Sequence, residues 1–220
     1  MKLIDTSLID INKLPKNVKI ATISITCALN ADINIREIWS YFPLNEDIKT
    51  IKFNKQIKST DNDLIEKERK KLEKKLKKKQ NTKTGTKKRN IGDNFYNCII
   101  IVVNISPTKI INIKLFKNGS IQMTGSKNLH QTEAALKIII KYLKNKHYEI
   151  INNKKTLIPF LLNHITKIEE KALKKDYPDI EKRRLVRNQQ RMDLRKLKLY
   201  NFNINMINTS FSLDFKIHLG

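Results

Sequence analysis

The chain is predicted to fold as an α+β domain in which one antiparallel sheet carries helices on a single face. Three observations support this. Val18–Cys27 and Phe95–Asn104 alternate with period two, and Ile33–Tyr41 and Leu129–Asn145 repeat their apolar residues at helical spacing. Asn118-Gly119 sits between two strand-like runs, the strongest short-range mark of a hairpin.

In the first strand, Ala21, Ile23, Ile25 and Cys27 fall on one face, and Ile20, Thr22, Ser24 and Thr26 on the other. In the helix that follows, Ile35, Ile38 and Trp39 share a side, so the indole reads as core, and Pro43 lies just past the stop. Ile48–Phe53 is a short strand. Lys55–Asn94 is different material: lysine runs with Leu64, Ile65, Leu72 and Leu76 as the only apolar anchors of its middle. It reads as a solvated charged loop or as a basic arm that adds phosphate contacts.

Phe95, Asn97, Ile99, Ile101 and Val103 then share one face, and Tyr96, Cys98, Ile100 and Val102 the other. Ile110–Phe116 is followed by a turn expected to be type I′ at Asn118-Gly119, and Ser120–Thr124 is the return strand, ended by Gly125. Asn128 caps the next helix with Gln131 as capping-box partner, and Ala135, Ile138, Ile139, Tyr142 and Leu143 form its stripe. The unit reads strand, helix, four strands, helix, with one sheet face left uncovered. Beyond it, Leu157–Leu173 has helical spacing that includes His164, read as a core or boundary histidine. A basic helix is expected from about Asp179 to Leu199, and Phe202–Phe215 returns to strand character.

Composition restricts the function. The net charge of +24 over 220 residues creates a positive field that favours a polyanion, nucleic acid first and an anionic membrane surface second. The 40% apolar share supports a packed core. Met1–Asp5 lacks the apolar run of a signal peptide, and Cys98–Val103 is too short to cross a bilayer, so the reading is intracellular, with no membrane partner. Cys27 and Cys98 read as reduced core thiols. The four histidines are scattered, so no metal site and no cofactor are expected. Asp and Glu are dispersed among lysines, so no catalytic residues are assigned and the chain is not read as an enzyme.

The stretch Ile113–Gly125 resembles the fourth and fifth strands of a TATA-box-binding-protein repeat, with Phe116, Gly119, Thr124, Gly125 and the Asn128 cap in matching places. Its wording, Phe-Lys-Asn-Gly-Ser-Ile-Gln-Met-Thr-Gly, resembles the divergent members carried by large nucleocytoplasmic DNA viruses. Ala21–Cys27 is similar to the family's first strand, and Asn205-Met206-Ile207 to the opening of a second repeat. The resemblance covers residues 18–54, 95–145 and 201–217. It implies a curved antiparallel sheet, a saddle with helices on the convex face. The first repeat, complete, would span 1–145 with a basic insertion at 55–94. A helical insertion or linker would span 146–200, and a truncated second repeat would begin at 201–220. A full saddle needs two repeats, so the chain reads as incomplete or, failing that, as a half-saddle that dimerises. The first strands of the two repeats, Val18–Thr26 and Asn203–Phe211, should pair at the centre of the sheet.

Alternation directs Ile111, Ile113, Leu115, Ile121 and Met123 toward the helices, and Asn112, Lys114, Phe116, Gln122 and Thr124 to the uncovered face. The resemblance implies that a Phe wedge enters a base step and kinks the duplex, a mechanism for which the TATA-box-binding protein is itself the type example. Phe116 is the first wedge and Phe95 the second. Thr124 and Gln122 would lie on the groove floor and, with Lys114, Asn112, Ile20, Thr22, Asn205 and Ile207, contact DNA. Lys117 and Lys127 would contact phosphates. Lys114 and Gln122 replace small apolar residues usual in the family, and Ser120 replaces a common phosphate-contacting Lys. The implied function is a transcription initiation factor that binds and bends AT-rich promoter DNA through the minor groove. Its partners would be duplex DNA, a general initiation factor and RNA polymerase, in the nucleus or in a viral factory in the host cytoplasm. The alternative is a sequence-tolerant architectural DNA- or RNA-binding protein that uses the same sheet.

Overall fold

A computed structural model describes residues 17–63, 65, 66, 70, 97–151 and 153–211. The first half contains β1 (Val18–Leu29), β2 (Asp32–Ile33), α1 (Ile35–Tyr41), β3 (Ile48–Phe53), β4 (Gln56–Ser59), β5 (Cys98–Ser106), β6 (Lys109–Phe116), β7 (Ser120–Ser126) and α2 (Leu129–Leu143). Then follow β8 (His147–Ile151), β9 (Lys154–Ile158), β10 (Leu161–Leu162), α3 (Lys167–Asp176), α4 (Ile180–Gln189), a 3-10 turn at Leu194–Lys196 and β11 (Leu199–Phe211). Seven strands form an antiparallel sheet in the order β11-β1-β7-β6-β5-β3-β4, and β10–β2 and β8–β9 are separate pairs. The architecture is therefore α+β with a large antiparallel sheet. β1 pairs with β11 from Val18↔Phe211 through Thr26↔Asn203, the expected partnership, although β11 is the edge strand among the described residues rather than part of a continuing centre.

One face of the sheet builds the core. Ile25, Met123, Ile113, Ile101 and Ile51 form a transverse row of directly opposed residues, each fully buried. Leu136 and Ile139 of α2 and Ile38 of α1 belong to the same cluster. Each such side chain contributes about 1.5–3 kcal/mol through burial, so the alternation fixes which face is inside. Trp39 is half-buried against this core and carries the Lys58 ammonium 4.5 Å from its ring centroid.

Several elements differ from the sequence expectations. β1 is not a strict alternation. Its register against β11 skips Ala21, a β-bulge that leaves Ala21 exposed and lets Ile20 pack against the core. The turn after β6 is not type I′: Gly119 N–H donates to the Phe116 carbonyl (3.0 Å), and only Gly119 has positive φ (84°). This is a turn over Lys117-Asn118 closed by a left-handed glycine. The doubly left-handed pair lies instead at Asn54 (φ 48°) and Lys55 (φ 66°), which join β3 to β4, so ladder pairing continues into the start of the expected basic insertion. The helix expected from Ile33 starts at Ile35, because Ile33 bridges to Leu161.

Leu157, Ile158, Leu161 and Leu162 are strand, not helix. Leu157 and Ile158 pair with β8, Leu161 and Leu162 pair with β2, and Phe160 and Leu161 are buried in the core. Apolar residues three and four apart served two short buried strands here, with Pro159 between them. α3 starts where Thr166 and Glu169 form a reciprocal capping box, and α4 starts where Asp179 accepts from Lys182 N–H at 2.7 Å. The basic helix stops at Gln189, ten residues short of the expected end, because Met192 N–H turns to the Leu161 carbonyl (3.1 Å).

Candidate nucleic-acid interface

The face opposite the core can be built from the strand registers. One transverse row runs Met206, Ser24, Thr124, Asn112, Val102, Thr50, Ser59 across all seven strands. A second runs Asn203, Thr26, Gln122, Lys114, Ile100, Lys52, Ile57. Directly opposed residues share a face, and the buried isoleucine row lies between these two. Neither row contains a carboxylate. The face is built of hydroxyls, amides, apolar side chains and two lysines; Ser24, Val102 and Thr50 are buried in it, and Asn112, Met206 and Asn203 are exposed. Such a surface can accept hydrogen bonds from, or donate them to, a groove floor without repelling phosphates.

Asn112, Lys114, Gln122 and Thr124 all lie where alternation placed them, Asn112 exposed and the others half-buried. Phe116 is half-buried at the end of this face, next to the 117–119 turn. Directly opposite it, Cys98 is 8% exposed, and burial pushes its thiol pKa up despite the opposing influence of Lys114. Thr22 accepts a hydrogen bond from Gly125 N–H (3.2 Å). Gly125 (φ 105°) is the unpaired residue between Ser126 and Thr124 in the β1–β7 register, a second bulge that uses glycine's freedom at positive φ. Thr26 donates to Asn205 Oδ1 at 2.8 Å, which fixes the exposed Asn205 at another bulge.

Other expected contacts fall elsewhere. Ile20 packs on the core side through the Ala21 bulge. Ile207 lies opposite the fully buried Ile23, so it points to the helix side, where it is 41% exposed. Lys117 is not a free cation: its ammonium bridges to Glu170 of α3. Lys127 is exposed, and together with burial it holds the Lys109 pKa down. Phe95 lies outside the described residues, as does most of the basic insertion. The second-wedge reading grouped Phe95 with Ile99, Ile101 and Val103, and those three described residues are fully buried on the core side. Residues absent from the expected contacts, namely Lys52, Thr50, Ile57, Ser59, Asn203 and Met206, complete the rows. Only the cross-strand register aligns them with Ser24 and Thr26, which alternation set opposite Ile23 and Ile25, and with Ile100 and Val102, which alternation set opposite Ile99 and Ile101.

Away from this face, two arginines of α4 tie the segment after α2 to the first elements. Arg184 grips both carboxylate oxygens of the fully buried Glu37 and also reaches Glu149 (3.1 Å) and Glu181 (3.2 Å). Hydrogen bonding to Glu37 raises its pKa still further above the ordinary arginine value. Arg187 pairs with the buried Asp32 at 2.7 Å, and His164, exposed rather than core, sits on the other oxygen of Asp32 at 2.7 Å. Among the described residues no group of three or more His, Cys, Asp or Glu is placed to hold a metal ion, and no helix is long and apolar enough to cross a membrane. Both cysteines are unpaired and buried, and burial pushes the Cys27 pKa up to about 12.

The fold and this face define a sheet-platform protein: helices on one side, an open, carboxylate-free ladder on the other. The chain is 30% identical over 206 residues to a TATA-box-binding protein-like protein of Acanthamoeba polyphaga mimivirus. The match covers 91% of this chain and 43% of that relative, so the chain spans less than half the relative's length. This similarity supports a divergent relationship to that viral TATA-box-binding protein-like protein. No family model and no solved structure matches it.

Proposed function

We propose that the chain binds AT-rich promoter DNA in the minor groove through its open sheet face, bends it, and acts as a non-enzymatic transcription initiation factor. The observation that carries this is the pair of carboxylate-free rows with a half-buried Phe116 on the same face, just past Lys114 along β6. A basic protein that merely coats phosphates needs only surface lysines. A run of Ser, Thr, Asn and Gln between apolar residues suits the adenine N3 and thymine O2 acceptors of a groove floor, which separate A·T from G·C pairs. The mimivirus relative's name supports a DNA-binding, transcription-related role. In this reading the sheet curves into a saddle, a general initiation factor and RNA polymerase are recruited to the complex, and the protein works in the nucleus or a viral factory. Dimerisation would supply a second half-face.

The second reading, a sequence-tolerant architectural DNA- or RNA-binding protein, draws on Lys114 in the middle of the face and Lys52 toward its β4 edge. Two variants separate the readings. Phe116→Ala removes a wedge that acts only on a deformed duplex, an effect on the order of a few kcal/mol. It should abolish bending, read by energy transfer across an AT-rich duplex, and most of the A·T preference, while total affinity falls less. Deleting residues 67–88 should lower affinity on every duplex and flatten the salt slope, with bend and preference intact. Parent-like bending by Phe116→Ala would refute the wedge and put the second reading ahead.

A further inference from the structure

A cavity of about 250 Å³ lies beside the 117–119 turn, between β2, the start of α1, α3 and α4. It is smaller than the roughly 300–1,000 Å³ of small-molecule sites, and its size suits one or two side chains. Its apolar lining comes from Ile33, Leu162, Ile165, Leu173 and Ile180. Ile180 is 52% exposed, an apolar surface left to water.

Six basic side chains share the lining with two carboxylates, Asp32 and Glu170. Four of the six are occupied. Arg184 is held by Glu37, Glu149 and Glu181, Arg187 by Asp32, and Lys117 and Lys174 both by Glu170. Two guanidinium groups remain. Arg36 is exposed and makes no hydrogen bond or ion pair among the described residues, and Arg183 donates only to the Tyr177 carbonyl (3.0 Å). Guanidinium groups match carboxylates as planar, often bidentate, partners.

We propose that this cavity docks an acidic peptide segment of a partner protein, one bulky apolar side chain filling it while flanking carboxylates pair with Arg36 and Arg183. A nucleic-acid backbone would satisfy the two arginines but leave the apolar lining wet, so the lining decides for a peptide. The site lies off the open-face rows and does not depend on their binding DNA.

The probe is a labelled peptide alternating Asp and Leu around a central Phe, titrated against the full chain by fluorescence anisotropy. The parent should bind it. Arg36→Glu/Arg183→Glu should weaken binding roughly tenfold or more, since each charge-assisted bond is a substantial fraction of a decade or better. An all-Asp peptide of equal length should bind comparably more weakly, and a saturating AT-rich duplex should leave the complex intact. Lys19→Glu, at an exposed position of β1, should change nothing. The proposal fails if the parent does not bind, if the double variant binds like the parent, if the all-Asp peptide binds as tightly, or if the duplex displaces the peptide. Circular dichroism of the double variant confirms its fold, and Leu173→Asp at the apolar lining gives an independent second lesion expected to weaken binding in the same way.

Discussion

Gly119→Ala should be among the most damaging single-methyl additions this chain can receive. Gly119 has φ +84°, where a side chain costs about 1–2 kcal/mol. A Cβ there would also lie 2.4 Å from the Ala31 carbonyl oxygen and 2.5 Å from that of Leu29. Both are backbone atoms, and Leu29 N–H donates to the Gly119 carbonyl at 2.9 Å, so neither strand can swing away as a flexible side chain would. Forcing them apart adds about 1–3 kcal/mol of overpacking, and losing that bond about 1 kcal/mol more. The expected loss is roughly 3–6 kcal/mol, a large part of the roughly 5–15 kcal/mol that holds a domain together. Urea unfolding followed through the single tryptophan, Trp39, measures it. Gly125→Ala is the control. Its φ is +105°, but its nearest non-neighbour atom would be the Ile110 carbonyl oxygen at 3.4 Å, so strain of about 1–3 kcal/mol should act nearly alone. A loss below about 1 kcal/mol for Gly119→Ala, or a larger loss at Gly125, would refute the clash argument.

Other substitutions test the ties between elements. Glu170→Gln releases Lys117 beside the proposed wedge, so the slope of log affinity against log salt should steepen by about 0.9, one phosphate contact; an unchanged slope means Lys117 never reaches a phosphate. The Lys117 hydrogen bond holds the Glu170 carboxyl below the ordinary range, so its small stabilisation is present above that range and lost as pH falls through the lowered folded-state value. The stability difference between parent and Glu170→Gln should therefore vanish in acid, and a difference that grows there would contradict the pairing. Arg184→Ala strands the buried Glu37 carboxylate and should cost about 3–5 kcal/mol, with Glu37→Gln/Arg184→Ala recovering part of it; additive losses would show that the two do not act as a pair.

Sequence alone determined which residues face inward over most of the sheet, because period-two alternation is a local property. Ile23, Ile25, Ile111, Ile113, Leu115, Ile121 and Met123 are all buried as their spacing requires, and Asn112, Lys114, Phe116, Gln122 and Thr124 stand on the other face. The Asn128 cap of α2 was likewise legible, since a cap is written within four residues. Tertiary structure decided what local pattern cannot carry. Bulges at Ala21 and Asn205 reset side-chain parity, moving Ile20 to the core side and leaving Ile207 on the helix side, and they are set by how β1 and β11 pair across nearly two hundred residues. The spacing of Leu157, Phe160 and Leu161 fits a helix and two buried strands equally well, and only pairing with β8 and β2 selects strands. Lys117 reads as a free cation until α3 brings Glu170 to it from 53 residues away. The open face itself is a register property: Lys52, Lys114, Gln122 and Asn203 align only because six ladders fix which residues stand opposite one another.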